Sequence, residues 1–358
     1  MERILVIKLY AIGDLVMSLP GIGLLRSDAP ASEIHLLTSG LLAPLARLAA
    51  PVDRVIEMDD RILGRSARRF GLLPLALRLR RECYSSGYLL HRMLPLRLFL
   101  RLAGPRQRTG QGTGTAGLTR AVPFETGQPE HDAQRYARVF GWDGKKPLAA
   151  PLVRFEESVA EDLMPVCKGK GPVAVSPGGG RSTVRSTDAK RWPPERFGEI
   201  IRMLHREGFG SVLLGSAEDG GFLEELRADL PKTSLDLIGR TSLVEAAGVL
   251  SRSRMLITND SSLMHLAGLV GTPTLTVFGP TDPVRVGVFP PSRRHRHLIP
   301  AGVECSPCHP PRAVESCDSA ECMLSVTVDR VWDEAMDMLA EDRAHGRAAE
   351  AELDLPVR

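Results

Sequence analysis

The sequence predicts a parallel α/β protein built from two Rossmann-like domains in tandem. Three observations carry that expectation. Short apolar runs alternate with longer amphipathic stretches, the pattern of strand–helix–strand units. Several of the runs end in glycine- or Asx-rich turns that lead straight into a helix. The pattern occurs on both sides of a Pro- and Lys-containing stretch at 145–170, in a chain of 358 residues, the length of about two domains.

Residues 4–7, Ile-Leu-Val-Ile, form the first expected strand. A loop through Leu9-Tyr10-Ala11-Ile12-Gly13-Asp14 then opens a helix running through Ser18, with Pro20 near its first turns. Further strands are expected at 33–38, 54–57 and 87–90. Residues 104–129, dense in Gly, Pro, Thr and Gln, read as loop, and 129–140 as helix. In the second half, a strand at 173–176 ends in Pro177-Gly178-Gly179-Gly180. Phe197, Ile200, Ile201 and Leu204 have helical spacing within 194–207, and Gly208 is a plausible stop. Strands at 211–214, 236–238, 255–258 and 274–278 are interleaved with helices at 242–250 and 263–269. A last helix covers 327–340, and the tail from 343 is charged and Ala-rich.

The composition, 43% hydrophobic and 25% charged, is that of an ordinary globular protein and excludes fibre and disorder. A net charge of +3 argues against a dedicated nucleic-acid binder. That total conceals an asymmetry: residues 61–108 hold twelve Arg against Glu82 alone, or +11, leaving −8 for the rest. One stretch is suited to something anionic. Tyr88 to Leu102 is rich in Leu but broken by His91, Arg92, Pro95, Arg97 and Arg101, so it suits lying on a membrane and not crossing one. The start lacks the features of a secretory peptide, and six Cys in so long a chain make no disulfide scaffold; the cytoplasm is the expected compartment.

Three turns carry candidate chemistry. Gly13-Asp14 falls where ligands bind in such sheets, so Asp14 is either a general base or a helix N-cap. Gly178 and Gly179 let backbone approach an anion, with Arg181, Arg185, Lys190 and Arg191 following; a surface loop with scattered bases is the other reading. Asn259-Asp260-Ser261-Ser262 lies between a strand and a helix, so free N–H groups there favour phosphate unless they only form a cap. Asp260 would repel phosphate and suits a cap, a positive partner or a sugar hydroxyl. Thr281, in Phe278-Gly279-Pro280-Thr281-Asp282-Pro283, donates to phosphate or caps its turn; His265 reads more readily as packed than as catalytic.

Taken in order, Ile4-Leu5-Val6-Ile7-Lys8 through Gly13-Asp14, Lys190-Arg191-Trp192-Pro193, Asn259-Asp260-Ser261 and Phe278 to Pro283 resemble glycosyltransferase family 9, the heptosyltransferases of lipopolysaccharide cores. The resemblance implies a GT-B fold, two Rossmann-like domains facing across a cleft: 1–160 for the acceptor, 161–326 for a nucleotide-sugar, a helix at 327–342 returning toward the first domain, and a tail at 343–358. It implies inverting transfer without a required cofactor or metal, typically from ADP-heptose to a lipopolysaccharide core or related glycan; the Arg- and Leu-rich stretch adds the expectation of an anionic glycolipid or glycan acceptor and peripheral inner-membrane contact, and the net charge that of no nucleic acid. Asp14 matches the family's base, Lys190 its donor-side cation, Asp260 its diphosphate-side acid, and Glu218 an acid that holds ribose or base. Gly178, Gly179, Ser261, Ser262, His265 and Thr281 complete the donor side. His131, in a segment that resembles the family's His-x-x-x-Arg element, joins Arg92 and Arg97 as acceptor-side candidates, with a surface helix the other reading for His131 and a solvated helix face that for the arginines. Ser262 stands where the family commonly has Gly. A different nucleotide-sugar or acceptor, or a non-catalytic nucleotide-sugar binder, is the alternative reading. Cys305, Cys308, Cys317 and Cys322, spaced C-x2-C-x8-C-x4-C, fit a structural Zn or Fe knuckle, free thiols or disulfides, with no metal assigned.

Overall fold

Two six-stranded, all-parallel sheets organise the protein, in a computed structural model that describes residues 2–59, 72–124, 129–153, 162–164, 170–179, 188–308, 317 and 319–353. The chain divides into two units, Met1–Val153 with Val284–Pro290, and Arg154–Pro283 with Pro291–Arg358. The first break falls a few residues before the expected 160/161 boundary.

In the first unit the elements run β1 (Arg3–Ile7), α1 (Ile12–Asp28), β2 (Glu33–Ser39), α2 (Ala43–Ala49), β3 (Arg54–Met58), α3 (Leu72–Arg80), β4 (Ser86–Leu89), α4 (Leu94–Ala103), β5 (Gln107–Gln111), β6 (Arg120–Val122) and α5 (Asp132–Val139). The strand order is β3-β2-β1-β4-β5-β6. Central strands of such a sheet are covered on both faces, which is why Ile4–Ile7 is an unbroken apolar run and fully interior. α1 lies so close to α5 that a side chain at Gly21 would meet Phe140 at 2.8 Å and the Ala137 backbone at 2.9 Å. The stretch 104–129, expected as loop, contains β5 and β6. They are short strands at one side of the sheet with few β-branched residues, and at Gly110 an added Cβ would crowd Leu118 and Leu89. Helices α2, α3 and α4 were likewise not among the sequence expectations.

In the second unit β7 (Pro172–Ser176), α6 (Pro194–Arg206), β8 (Gly210–Leu213), α7 (Glu224–Ala228), β9 (Ser234–Asp236), α8 (Leu243–Ser251), β10 (Leu256–Asn259), α9 (Ser262–Leu269), β11 (Thr274–Val277), α10 (Pro283–Val286), β12 (His295–Leu298), α11 (Glu321–Leu324) and α12 (Val328–Leu353) follow. The order β12-β11-β10-β7-β8-β9 repeats that of the first sheet, strand for strand. On α12, Val331, Ala335, Met338 and Leu339 pack in the core of the second unit, and Arg296 of β12 pairs with Glu334, Asp337 and Glu341 of that helix at 2.6 Å. The late segment grouped with the first unit is Val284–Pro290. No described helix is long and apolar enough to cross a membrane.

Candidate functional site

Each sheet has the order in which crossovers diverge beside the first strand, opening a crevice at the carboxyl ends: between β1 and β4 in one unit, between β7 and β10 in the other. The candidate residues collect at these two points.

In the first unit, α1 is entered through Ala11, which has φ 69° and no side-chain cap bond, so Asp14 lies in the first helical turn and is not the N-cap. Lys8 is fully buried beneath it, and its Nζ donates to Asp14 Oδ2 at 3.1 Å and to the Tyr10 carbonyl at 3.0 Å. Burial pushes the Lys8 ammonium below the usual lysine range, against the opposing pull of Asp14. The Tyr136 hydroxyl of α5 also bonds Asp14; burial, then the charges of Asp14 and Asp132, keep that phenol protonated well above its ordinary range. Asp14 is therefore fixed by two side chains while 37% of its own remains exposed. His91, just after β4, accepts the Leu9 N–H through Nε2 at 2.8 Å and is held neutral, chiefly by burial and then by Lys8.

The three acceptor-side expectations separate. Arg92 is exposed, lies 4.5 Å from the Phe124 ring centroid, and forms no hydrogen bond or ion pair among the described residues. Arg97 is buried: its guanidinium donates to the Gln111 carbonyl at 2.8 Å and the Gly114 carbonyl at 3.3 Å, and an added Cβ on Gly112 would collide with it. Its hydrogen bonds tie β5 to the loop that follows. His131 is the N-cap of α5, accepting from Ala133 N at Nδ1 and donating from Nε2 to the Gly287 carbonyl, both at 3.0 Å. That spends both ring nitrogens on structure.

In the second unit, Lys190 Nζ donates to Asp260 Oδ2 at 2.9 Å, and Thr281 Oγ1 donates to the same oxygen at 2.7 Å. Burial would raise the Asp260 pKa, yet Lys190 foremost, with Thr281 and the charge of His265, holds it below the usual carboxylate range. Of the sequence readings for Asp260, the positive partner is the one realised. Ser261 is the N-cap of α9 with no side-chain cap bond; its Oγ is 3.1 Å from Thr258 Oγ1. The first-turn N–H groups, Ser262 among them, are thus left without a side-chain cap. Gly179, at φ 104°, passes so close above that a Cβ there would stand 2.9 Å from Ser261 Cβ. His265 is buried on α9.

Sequence reasoning missed the framework that holds this loop. Glu218 is exposed, and the buried acid is its neighbour Asp219. Asp219 accepts from Gly179 N at 3.3 Å, Ser216 N at 3.0 Å and Ser216 Oγ at 2.7 Å, and a Cβ on Gly178 would stand 2.5 Å from its Cγ. Arg191, an expected rival of Lys190 for phosphate, instead donates from Nε to the Gly179 carbonyl at 2.7 Å and stacks on Phe222. Arg181 and Arg185 lie outside the described residues. Asn259 accepts from Trp192 N at 3.0 Å and donates to the Pro177 and Gly178 carbonyls at 2.8 and 3.1 Å. An Asn closing a buried strand before a helix was the available signal; Lys8, ending the apolar run of β1, was its counterpart.

None of the four clustered cysteines is in a disulfide, and no described group of His, Cys, Asp or Glu has an arrangement able to hold a metal. Burial pushes the Cys322 thiol up to about 11. With Met323 it lies against Gly279, where a Cβ would stand 2.3 Å from Met323 Sδ, and Cys308 N donates to the Pro280 carbonyl at 3.0 Å. This region braces the turn that presents Thr281.

Comparison with known proteins matches residues 75–317 to the model of glycosyltransferase family 9 (heptosyltransferase). Lipopolysaccharide heptosyltransferase 2 of Escherichia coli K12 is 26% identical over 364 residues, covering 96% of this chain and 100% of that protein. Lipooligosaccharide heptosyltransferase 2 of Haemophilus influenzae is 38% identical over 99 residues, 26% of this chain and 29% of that protein. The solved structure of the E. coli ADP-heptose lipopolysaccharide heptosyltransferase II superposes with a TM-score of 0.77 at 23% identity, covering 96% of this chain and all of that one. With its paired Rossmann-type sheets in the GT-B arrangement, the chain belongs to glycosyltransferase family 9, the heptosyltransferases.

Proposed function

We propose that the protein is an inverting heptosyltransferase that moves heptose from ADP-heptose to an anionic lipopolysaccharide-core acceptor. The observation that carries the proposal is the Lys190–Asp260–Thr281 cluster at the uncapped N-terminus of α9, beneath the Gly178-Gly179 loop. Such a site suits a diphosphate, with a cation, open backbone donors and glycines that admit close approach. The likeness to the E. coli ADP-heptose lipopolysaccharide heptosyltransferase II favours that donor.

Asp14 supplies the other half of the chemistry. Its carboxylate takes the proton of the acceptor hydroxyl as that oxygen bonds to the anomeric carbon, and the bond from that carbon to the diphosphate oxygen breaks. ADP departs with an added negative charge. Lys190 and the α9 N-terminus take up that charge in the role a divalent ion could otherwise fill. Lys8 and Tyr136 keep Asp14 in one orientation, and Arg92 offers a cation to an acceptor phosphate or carboxylate beside it. A protein that only bound nucleotide-sugars would have no use for a carboxylate fixed so firmly yet left open.

The Asp14→Asn variant tests the reading. ADP affinity by calorimetry should match the native protein, while transfer from ADP-heptose to lipopolysaccharide-core acceptors falls by at least about a hundredfold. Unchanged turnover would remove Asp14 as base; failure of the native protein to bind ADP would remove the donor assignment.

A further inference from the structure

We propose that the outward face of α3 and α4 docks on an anionic phospholipid bilayer. The two helices pack against each other and share one core with the first sheet, through Ala76 and Leu79 of α3 and Leu96, Phe99, Leu100 and Ala103 of α4. With those positions spent on the core, the opposite sides should be polar. They carry leucines instead. Leu73 and Leu77 follow one another at a helical turn on α3, and Leu94, Leu98 and Leu102 do so on α4, each 43–51% exposed. α6 shows what an ordinary solvent face looks like in the same protein: its exposed positions are Glu195, Glu199, His205 and Arg206.

The charge around the leucines identifies what covers them. Arg78, Arg80, Arg81, Arg92, Arg101 and Arg106 are all exposed on or beside the two helices. From 61 to 124 the only acidic residue is Glu82, which is occupied by Arg3 and Arg54. A leucine ridge bordered only by arginines fits the boundary between acyl chains and phosphate headgroups, where the apolar row enters and the guanidiniums bind phosphate. A protein partner would call for a matching acidic surface, and a second copy would set arginine against arginine. Neither helix is long enough to cross the bilayer, so the association is peripheral. The inference depends on this surface alone and not on the donor or the base.

Co-sedimentation of the full chain with vesicles tests it, comparing a two-to-one mixture of phosphatidylcholine and phosphatidylglycerol with phosphatidylcholine alone. The protein should bind the mixture, release at high salt and bind the neutral vesicles far more weakly. Arg78→Gln with Arg101→Gln should weaken binding by about 25-fold, roughly fivefold for each arginine. Leu94→Gln with Leu98→Gln should weaken it by about tenfold or more. Both pairs are exposed and should leave the melting temperature unchanged, which separates a docking defect from misfolding. No binding to the mixture, equal binding to neutral vesicles, or unaltered binding by either pair would overturn the proposal. So would a dimer that the leucine pair dissociates while vesicle binding persists.

Discussion

Replacing Lys190 by Met removes the cation from a largely buried carboxylate. Nζ lies 2.9 Å from Asp260 Oδ2, where at an effective dielectric of about 20 the direct attraction is roughly 6 kcal/mol before desolvation is counted. Deleting one partner of a buried pair typically costs about 3–5 kcal/mol. Lys190 is 21% exposed and Thr281 keeps its own bond to Asp260, so the low end, about 3 kcal/mol, is expected. In a unit of this size that lowers the melting temperature by about 6–12 °C. The pH dependence gives the sharper test. In the native protein the Asp260 pKa lies below its unfolded value, so its stabilisation is present above the ordinary carboxylate range and is lost as pH falls through the lowered value. Without Lys190, only the Thr281 bond and the charge of His265 oppose burial, and the carboxyl is drawn toward taking a proton. The deficit should therefore be widest near neutrality and narrow toward pH 4, and Lys190→Met with Asp260→Asn should recover most of it. Thermal unfolding across that range, with ADP binding at each point, is the assay. Equal melting temperatures for native and Lys190→Met protein at all pH values would refute the argument that this pair supports the site.

Three other substitutions address the remaining parts. Gly178→Ala puts a methyl group against the Asp219 carboxylate, which Ser216 holds in place, so a loss of about 1–3 kcal/mol and weaker ADP binding are expected by melting and calorimetry. His91 is held neutral in the fold, so below about pH 6.5 the unfolded chain binds a proton there that the native one does not; this adds about 1.4 kcal/mol per pH unit to the loss of stability on acidification, beside what His295 and His297 contribute, and denaturant titrations should find the slope shallower by that amount in His91→Asn. Arg97→Gln should cost about 1–3 kcal/mol by leaving the Gln111 and Gly114 carbonyls short of a donor, whereas Arg92→Gln should spare stability and raise the acceptor KM.

Asp14 and Asp260 were legible as candidates in the sequence because they follow strands, whose ends are where parallel sheets leave room for ligands, and Lys190 was legible as a candidate through the family resemblance. Their pairing was not, because Lys190 and Asp260 are 70 residues apart and only the fold brings them to 2.9 Å. The same blindness affected arginine. Arg92 and Arg97 look alike in a basic run, yet one is exposed over Phe124 and the other is buried among carbonyls. Charge counting treats them equally, while burial separates them. Glu218 and Asp219 repeat the point at adjacent positions, since the 3₁₀ turn at Ala217–Asp219 turns the shorter side chain inward to three donors.

The repeated strand order gives these differences a common cause. Both sheets open between their first and fourth strands, and in each unit a lysine bonds an aspartate beside that opening. The two pairs are nevertheless built for different tasks. Lys8 is wholly buried, so it can orient Asp14 but cannot reach a ligand, and the partly exposed member is the carboxylate. In the second unit the lysine is the more exposed member, at 21% against 11% for Asp260, and an open helix N-terminus lies beside it. A hydroxyl that must give up a proton needs the first arrangement, and a departing diphosphate needs the second. Under the function proposed above, one lysine–aspartate device serves as base or as anion site according to which partner the fold leaves exposed.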